Sequence, residues 1–303
     1  MKVLVTGAGG LIGRYLLERL EASGHEALGL DLKSDGKIMA ADIMNRDEIT
    51  AGMAKCRPEA VIHLAAQSSP PQSWIHPAET FQMNVNGTLH VLEAVRETCP
   101  EAKVIVACSS AEYAMSHDGK PIGEDYPLSP SNPYGISKMA AGELARVYGL
   151  RHGLHVIRVR PFFLVGPRKT GDVCSDFARG IAAIEKGLQK ELLTGTLDVV
   201  RDIMDVRDGI AAFQVVMEKG SSGEAYNICT GHGVRIGDIL DIYRELAAVP
   251  IAQRMDPSKV RPIDEPVRIG DPSKLKALGW TPSYSLRQTL QDILNYWRAR
   301  EDV

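Results

Sequence analysis

The chain has 303 residues, 44% hydrophobic and 24% charged, with 28 Gly and 17 Pro dispersed along it. This is a folded, globular composition that excludes collagen-like, low-complexity and disordered classes, and the length predicts one large domain or two unequal ones. Thirty-five basic against 38 acidic residues leave a net charge of −3 without a basic block, which argues against nucleic-acid and membrane-surface partners.

Residues 1–23 predict a short buried strand (Val3, Leu4, Val5), a glycine turn and a helix. The helix carries Leu11, Tyr15, Leu16, Arg19 and Leu20 at helical spacing and ends at Ser23-Gly24. Gly7, Gly10 and Gly13 form G-x-x-G-x-x-G in the turn. A pyrophosphate approaches a backbone closely only where Cβ atoms are missing, and a helix N-terminus behind the turn offers N–H donors and a positive dipole. At the start of a strand–turn–helix unit the triplet points to a dinucleotide.

The second strand, 26–30, ends in Asp31, 18 residues after Gly13. A carboxylate there accepts both adenosine-ribose hydroxyls and repels a 2′-phosphate, which favours NAD; Lys33 nearby softens the discrimination and keeps NADP open. Strands follow at 38–43 and 60–66, the latter ending in Ala65 and Ala66, small enough to lie against a cofactor. His63, inside an apolar run, reads as a satisfied core histidine.

A long helix is expected over 73–98, then a strand over 103–108 that ends in Ser109-Ser110. Ser131 to Lys138 opens another helix, with Pro133 at a first helical position and Tyr134 and Lys138 at i and i+4 on one face. An ammonium at about 4 Å, with an effective dielectric near 20, stabilises a phenolate by roughly 4 kcal/mol as an upper figure. A phenol so tuned exchanges protons with a sugar hydroxyl or carbonyl near pH 7. Ser109 can hydrogen-bond the same oxygen.

Beyond residue 163 the expected elements are helices near 172–186, 206–218 and 236–247 and strands near 199–204 and 225–229. A last helix buries Leu286, Leu290, Ile293, Leu294 and Trp297. The five cysteines (Cys56, Cys99, Cys108, Cys174, Cys229) have no C-x-x-C or metal-ligand spacing, so reduced thiols and no metal are expected. No signal-like segment or run of about 18 apolar residues occurs, and a cytoplasmic protein is expected.

Several runs together carry a resemblance: T-G-A-G-G-L-I-G, H-L-A-A-Q, N-V-N-G-T, S-S-A-E-Y and N-P-Y-G-I-S-K. They continue through Arg160-Pro161-Phe162, Gly195-Thr196-Leu197-Asp198, Arg201 to Asp208, Arg261-Pro262-Ile263-Asp264 and Gly270 to Leu275. Over nearly its whole length the chain resembles the extended short-chain dehydrogenase/reductases that act on nucleotide sugars. Within them it is most similar to the GDP-6-deoxy-4-keto-mannose reductases and the GDP-mannose 4,6-dehydratases.

The resemblance implies an α/β fold, a Rossmann-like doubly wound parallel sheet with a smaller α/β C-terminal substrate lobe. An NAD(P)-binding domain would span 1–162 and also receive about 199–217, and 163–303 would form mainly the substrate lobe. A nucleotide-diphosphate sugar as substrate and a homodimer through the helices near 73–98 and 133–150 are implied as well.

In the family register the catalytic residues are Ser109, Tyr134 and Lys138. Cofactor contacts fall on Gly7, Gly10, Leu11, Ile12, Gly13, Asp31, Asp42, Ile43, Leu64, Ala65, Ala66, Asn84, Tyr134 and Lys138. Substrate contacts fall on Ser110, Arg179, Arg201 and Arg261, with Arg168 a further candidate. Planar guanidinium forks suit a diphosphate.

Reductases, 4-epimerases and 4,6-dehydratases share hydride transfer with a nicotinamide cofactor. The dehydratases also use a Glu two positions after the Ser/Thr of the triad; this chain has Ala111 there, and on an extended backbone Glu112 would face the other way. They carry a long arginine-bearing loop after the second strand, whereas this chain passes from Asp31 to Asp42 in eleven residues.

The expected activity is NAD(P)H-dependent reduction at C4 of a nucleotide-linked 4-keto-6-deoxy sugar of the GDP-4-keto-6-deoxymannose type. A 4-epimerase ranks next, then a dehydratase, then a non-catalytic nucleotide-binding relative. Two departures stand out. Close reductases have an acid where Ala111 stands, and Phe163 occupies the place of an Asn that contacts the substrate's diphosphate region.

Overall fold

The computed structural model describes residues 1–116, 119–260 and 265–301. In chain order, β1 (Lys2–Thr6), α1 (Leu11–Ala22), β2 (Glu26–Asp31), β3 (Ile38–Ala40), α2 (Arg46–Cys56) and β4 (Ala60–His63) form the first half of a doubly wound sheet. The second half comprises α3 (Pro70–Ile75), α4 (Pro77–Phe81), a π-helical turn at Gln82–Asn86, α5 (Gly87–Thr98), β5 (Lys103–Ala107), α6 (Pro133–His152) and β6 (His155–Pro161).

There follow β7 (Phe163–Val165), α7 (Val173–Glu185), β8 (Leu192–Thr194), β9 (Val200–Asp205), α8 (Val206–Lys219), β10 (Ala225–Ile228) and β11 (Gly233–Arg235). The chain closes with α9 (Ile236–Leu246), β12 (Gln253–Met255), β13 (Val267–Arg268), α10 (Ser273–Lys276) and α11 (Leu286–Arg298). No helix among the described residues is long and apolar enough to cross a membrane.

The large sheet runs β3-β2-β1-β4-β5-β6-β10, parallel throughout. Its central strands are continuous apolar runs, Val3-Leu4-Val5, Ala60-Val61-Ile62 and Val104-Ile105-Val106, because helices cover both faces. Leu16 and Leu20 of α1 pack with Phe213, Val216 and Met217 of α8 on one face. Ile49 and Met53 of α2, Val91, Leu92 and Val95 of α5 and Ala145 of α6 fill the other. Strand order reverses between β1 and β4, so Thr6 and His63 flank a crevice at the carboxyl ends of the strands, where doubly wound folds bind ligands.

In the second lobe β9 pairs with β7, β11 and β13, and β8 with β12. Here α7, α9 and α11 enclose Phe177, Ile181, Leu240, Tyr243, Ile293 and Trp297.

One element differs from the sequence expectation. The helix expected over 73–98 is broken at His76 (φ −127, ψ 63), because Pro77 brings no N–H donor and disfavours helical geometry in the residue before it. Within 199–217, α8 packs on the large sheet and β9 belongs to the small sheet, while β10 is the seventh strand of the large sheet, beside β6.

Candidate active site

The site begins with the turn between β1 and α1. Gly7 has φ +71 and its N–H donates to the Leu30 carbonyl at 2.9 Å. A Cβ there would stand 2.7 Å from the Ala65 nitrogen, and one on Gly13 2.4 Å from the Gly7 oxygen. Both positions admit only glycine, and the resulting hairpin sets the first turn of α1, with Leu11 and Ile12, at the mouth of the crevice.

No side chain caps that helix at Gly10, so its first N–H groups are available to an anion. Asp31, at the end of β2, accepts N–H bonds from Gly9 (2.8 Å) and Leu32 (2.7 Å), which fixes its carboxylate over the turn. A turn only glycine can make, an uncapped helix start and an oriented acid fit the pyrophosphate and ribose of a dinucleotide.

Across the crevice, Leu64 donates to the Thr6 carbonyl at 3.1 Å and leads into Ala65 and Ala66. His63 is fully enclosed: Nδ1 is 2.7 Å from the Thr6 hydroxyl and Nε2 3.0 Å from the Thr88 hydroxyl. Burial pushes its pKa down to about 3, so it is a neutral structural link between β1, β4 and α5. Asn84, in the π-helical turn, accepts from Gln67 N–H (2.7 Å) and donates to Ser137 Oγ (2.9 Å), tying the segment after β4 to α6. Asp42 and Ile43 lie in the loop before α2, next to Ala41, whose N–H donates to the Asp31 carbonyl at 2.8 Å; the Asp42 carboxylate accepts from Met44 N–H at 2.9 Å and the Ile43 carbonyl meets His90 Nδ1 at 2.8 Å.

Tyr134, Lys138 and Ser109 converge at the carboxyl end of β5. Asn132 caps α6 by accepting from Gly135 N–H at 2.9 Å, and Tyr134 N–H donates to Ser73 Oγ at 3.1 Å. Gly135 allows the Ala111 carbonyl to lie against the helix; a Cβ there would be 2.3 Å from that oxygen.

The sequence pattern placed the Lys138 ammonium against the Tyr134 phenol. In the structure Lys138 Nζ donates to the Ala107 carbonyl at 2.8 Å, which compensates the burial of the ammonium. Burial therefore dominates Tyr134 and pushes its pKa up to about 12, opposed by the Ser109 hydroxyl, while burial lowers that of Lys138.

The residues after Ser109 are not extended. Ser110–Glu112 is a 3₁₀ turn capped by Ser109, whose Oγ accepts from Ala111 N–H at 3.1 Å. The turn carries Glu112 inward, where Oε1 accepts from Ser109 N–H (3.1 Å) and Oε2 from Arg160 Nε (3.0 Å). Arg160 also donates to the Tyr113 hydroxyl and the Glu124 carbonyl, each at 3.0 Å. Burial lifts the Glu112 carboxyl and the guanidinium draws it down; with both oxygens accepting N–H bonds, the site is built for the carboxylate. An arginine in the apolar β6 was the sequence signal for this buried partner.

The substrate-side candidates are dispersed. Ser110 sits at the lobe boundary, its carbonyl accepting from Arg268 of β13, which also pairs with Glu265. Arg201 lies on β9 in register with Arg268, on the same face of the small sheet. Arg179, exposed on α7, lies over Trp297 (5.7 Å) and lines a cavity of about 540 Å³ with Asp176, Leu192 and Lys259. Arg168 turns away to Tyr15 (5.5 Å) and Glu18 (3.6 Å) of α1. Arg261 lies outside the described residues.

Comparison with known proteins agrees with this fold. The profile of the family described as GDP-mannose 4,6 dehydratase matches residues 4–293. A GDP-6-deoxy-D-mannose reductase from Pseudomonas aeruginosa is 31% identical, covering 99% of this chain and 98% of its own. The structure of RMD from Pseudomonas aeruginosa complexed with NADPH superposes with a TM-score of 0.90 at 30% identity, over 99% of each chain. That of the Thermus thermophilus UDP-glucose 4-epimerase in complex with NAD does so at 0.89 and 29%, again over 99% of each.

Proposed function

The chain belongs to the GDP-mannose 4,6 dehydratase family, and on that premise we propose that it reduces the C4 carbonyl of a nucleotide-linked 4-keto-6-deoxy sugar of the GDP-4-keto-6-deoxymannose type. The observation that carries this is the turn after Ser109. Position 111 is Ala, and the neighbouring Glu112 is buried and committed to Ser109 and Arg160. A dehydratase needs an acid here to remove the C5 proton and expel water at C6, whereas the chemistry of reduction and of 4-epimerisation does not; between those two, the likeness over nearly full length to a GDP-6-deoxy-D-mannose reductase favours reduction.

The residues divide the work as follows. The turn at Gly7, Gly10 and Gly13 and the start of α1 bind the dinucleotide pyrophosphate, Asp31 its adenosine ribose, and Ala65, Ala66 and Asn84 border it. The bound nicotinamide supplies the hydride. Tyr134 donates its proton to the C4 oxygen; burial, by holding the phenol protonated, suits it to that role. Ser109 hydrogen-bonds the same oxygen, and Lys138 holds the nicotinamide ribose. We assign Arg201, Arg179 and, by family register alone, Arg261 to the diphosphate, and Ser110 to the sugar.

We assign residues 1–162 with α8 and β10 to the cofactor domain and the remainder to the substrate lobe. The test is incubation with GDP-4-keto-6-deoxymannose and NADH or NADPH. Cofactor oxidation should accompany a product heavier by one hydride and one proton, with NADH preferred because of Asp31. A product of unchanged mass but altered retention would make the protein a 4-epimerase, the second reading, which the likeness to an epimerase supports and the same triad serves.

The protein is further inferred to be a cytoplasmic homodimer. Its five thiols are unpaired, as in a reducing compartment. Trp74 and Ile75 on α3, Phe81 on α4 and Ile136, Val147 and Leu150 on α6 are exposed along helices that pack together. Sedimentation at micromolar concentration should give twice the chain mass, and Leu150→Glu should shift it towards the monomer; a wild-type monomer would refute the dimer.

A further inference from the structure

We propose that Asp202 is a positioning residue whose carboxylate pins two crossings of the chain between the cofactor domain and the substrate lobe to β9, and so sets where Arg201 stands at the crevice. The inference rests on the assignment of Arg201 to the substrate diphosphate.

The first crossing leaves β10 of the large sheet at Ile228 and enters β11 of the small sheet at Gly233. The second leaves β13 of the small sheet at Arg268 and enters α10 at Ser273; Leu275 of α10 belongs to the core around α1 and α8. Both meet on Asp202, which is 0% exposed. Oδ1 accepts from Thr230 N–H at 2.8 Å and from Thr230 Oγ1 at 2.7 Å, and Oδ2 from Gly231 N–H at 2.9 Å and Gly270 N–H at 3.2 Å. These donors fill the lone-pair sites of one carboxylate. The glycines make the approach possible: Gly231 has φ +84, and a Cβ on Gly270 would stand 2.5 Å from Cys229 Sγ. Burial raises the proton affinity of Asp202 and the four donors lower it; because a backbone N–H cannot accept, the site fits the carboxylate.

Successive residues of a strand face opposite ways, so Asp202, directed into the junction, turns Arg201 to the other face of β9. That is the face on which Arg268, in register with Arg201, reaches the Ser110 carbonyl in the turn after Ser109. Releasing the crossings lets β9 shift against the large sheet and carries the Arg201 guanidinium with it. Ser109, Tyr134, Lys138 and the glycine turn lie on other elements and keep their own hydrogen bonds. Nucleotide affinity should therefore fall while chemistry and cofactor binding persist.

Asp202→Asn is nearly isosteric, but in either orientation its amide turns N–H groups toward backbone N–H donors of the crossings. The experiment titrates wild type and variant with GDP and with NADH by calorimetry, measures kcat and KM on GDP-4-keto-6-deoxymannose, and follows amide exchange at 229–231 and 269–271. The variant should bind GDP about tenfold more weakly and raise KM to match, with kcat and NADH affinity close to wild type. The Thr230, Gly231 and Gly270 amides should exchange faster.

Wild-type GDP affinity or unchanged exchange overturns the proposal. So does a loss of kcat or NADH affinity as large as that of GDP affinity, the result a general loosening of the fold would give. Should Asp202→Asn not fold, Thr230→Val, which removes the hydroxyl donor, should weaken GDP binding about threefold, and wild-type affinity there refutes the pin. A wild type that binds GDP no better than inorganic phosphate counts against the nucleotide-sugar reading, whereas exchange at the two crossings still tests Asp202.

Discussion

Tyr134→Phe should bind cofactor with unchanged affinity and lose turnover by about 10³-fold, within the range of a positioned general acid. Tyr134 is 9% exposed, and its ring is held by a helix start that Asn132 caps and Ser73 steadies. A phenyl ring fills the same space, so neither the fold nor the crevice should change. What disappears is a phenolic proton donor beside Ser109 that burial holds neutral. Turnover and cofactor titration on the same preparation provide the check; a rate near wild type would remove Tyr134 from the chemistry.

Gly13→Ala should act at the opposite end of the crevice and through the backbone. The added methyl would meet the Gly7 oxygen at 2.4 Å and the Ala8 Cα at 2.6 Å, and neither can rotate away. The turn must open, at a cost of about 1–3 kcal/mol or more. Cofactor affinity should fall at least tenfold, equivalent to about 1.4 kcal/mol. Thermal melting with cofactor titration separates the two effects, and a variant with wild-type affinity would show that this turn is not the cradle.

Local chemistry made much of this legible in advance. The apolar triplets of β1, β4 and β5, the glycine turn and the i, i+4 relation of Tyr134 and Lys138 are properties of short segments, and their spacing dictates what they become. Other features depend on partners far away in the chain. Nothing near β9 distinguishes pairing with β7, β11 and β13 from joining the large sheet. The inward turn of Glu112 depends on Arg160, 48 residues later, and on the 3₁₀ geometry that Ser109 nucleates. The hydrogen bond of Lys138 to the Ala107 carbonyl was not legible either, because a flexible side chain settles on the acceptor that compensates its burial. The break at His76-Pro77 was visible in the letters, but apolar periodicity ran across it.

The return of α8 and β10 to the large sheet has a consequence for the molecule's cooperativity. A chain cut after β6 would leave an apolar face bare where Phe213, Val216 and Met217 belong and would end the sheet on an unpaired β6. Because the chain passes back and forth between the two regions, neither can melt while the other remains whole. Heat should unfold them in one transition, despite a division of labour that looks like two domains.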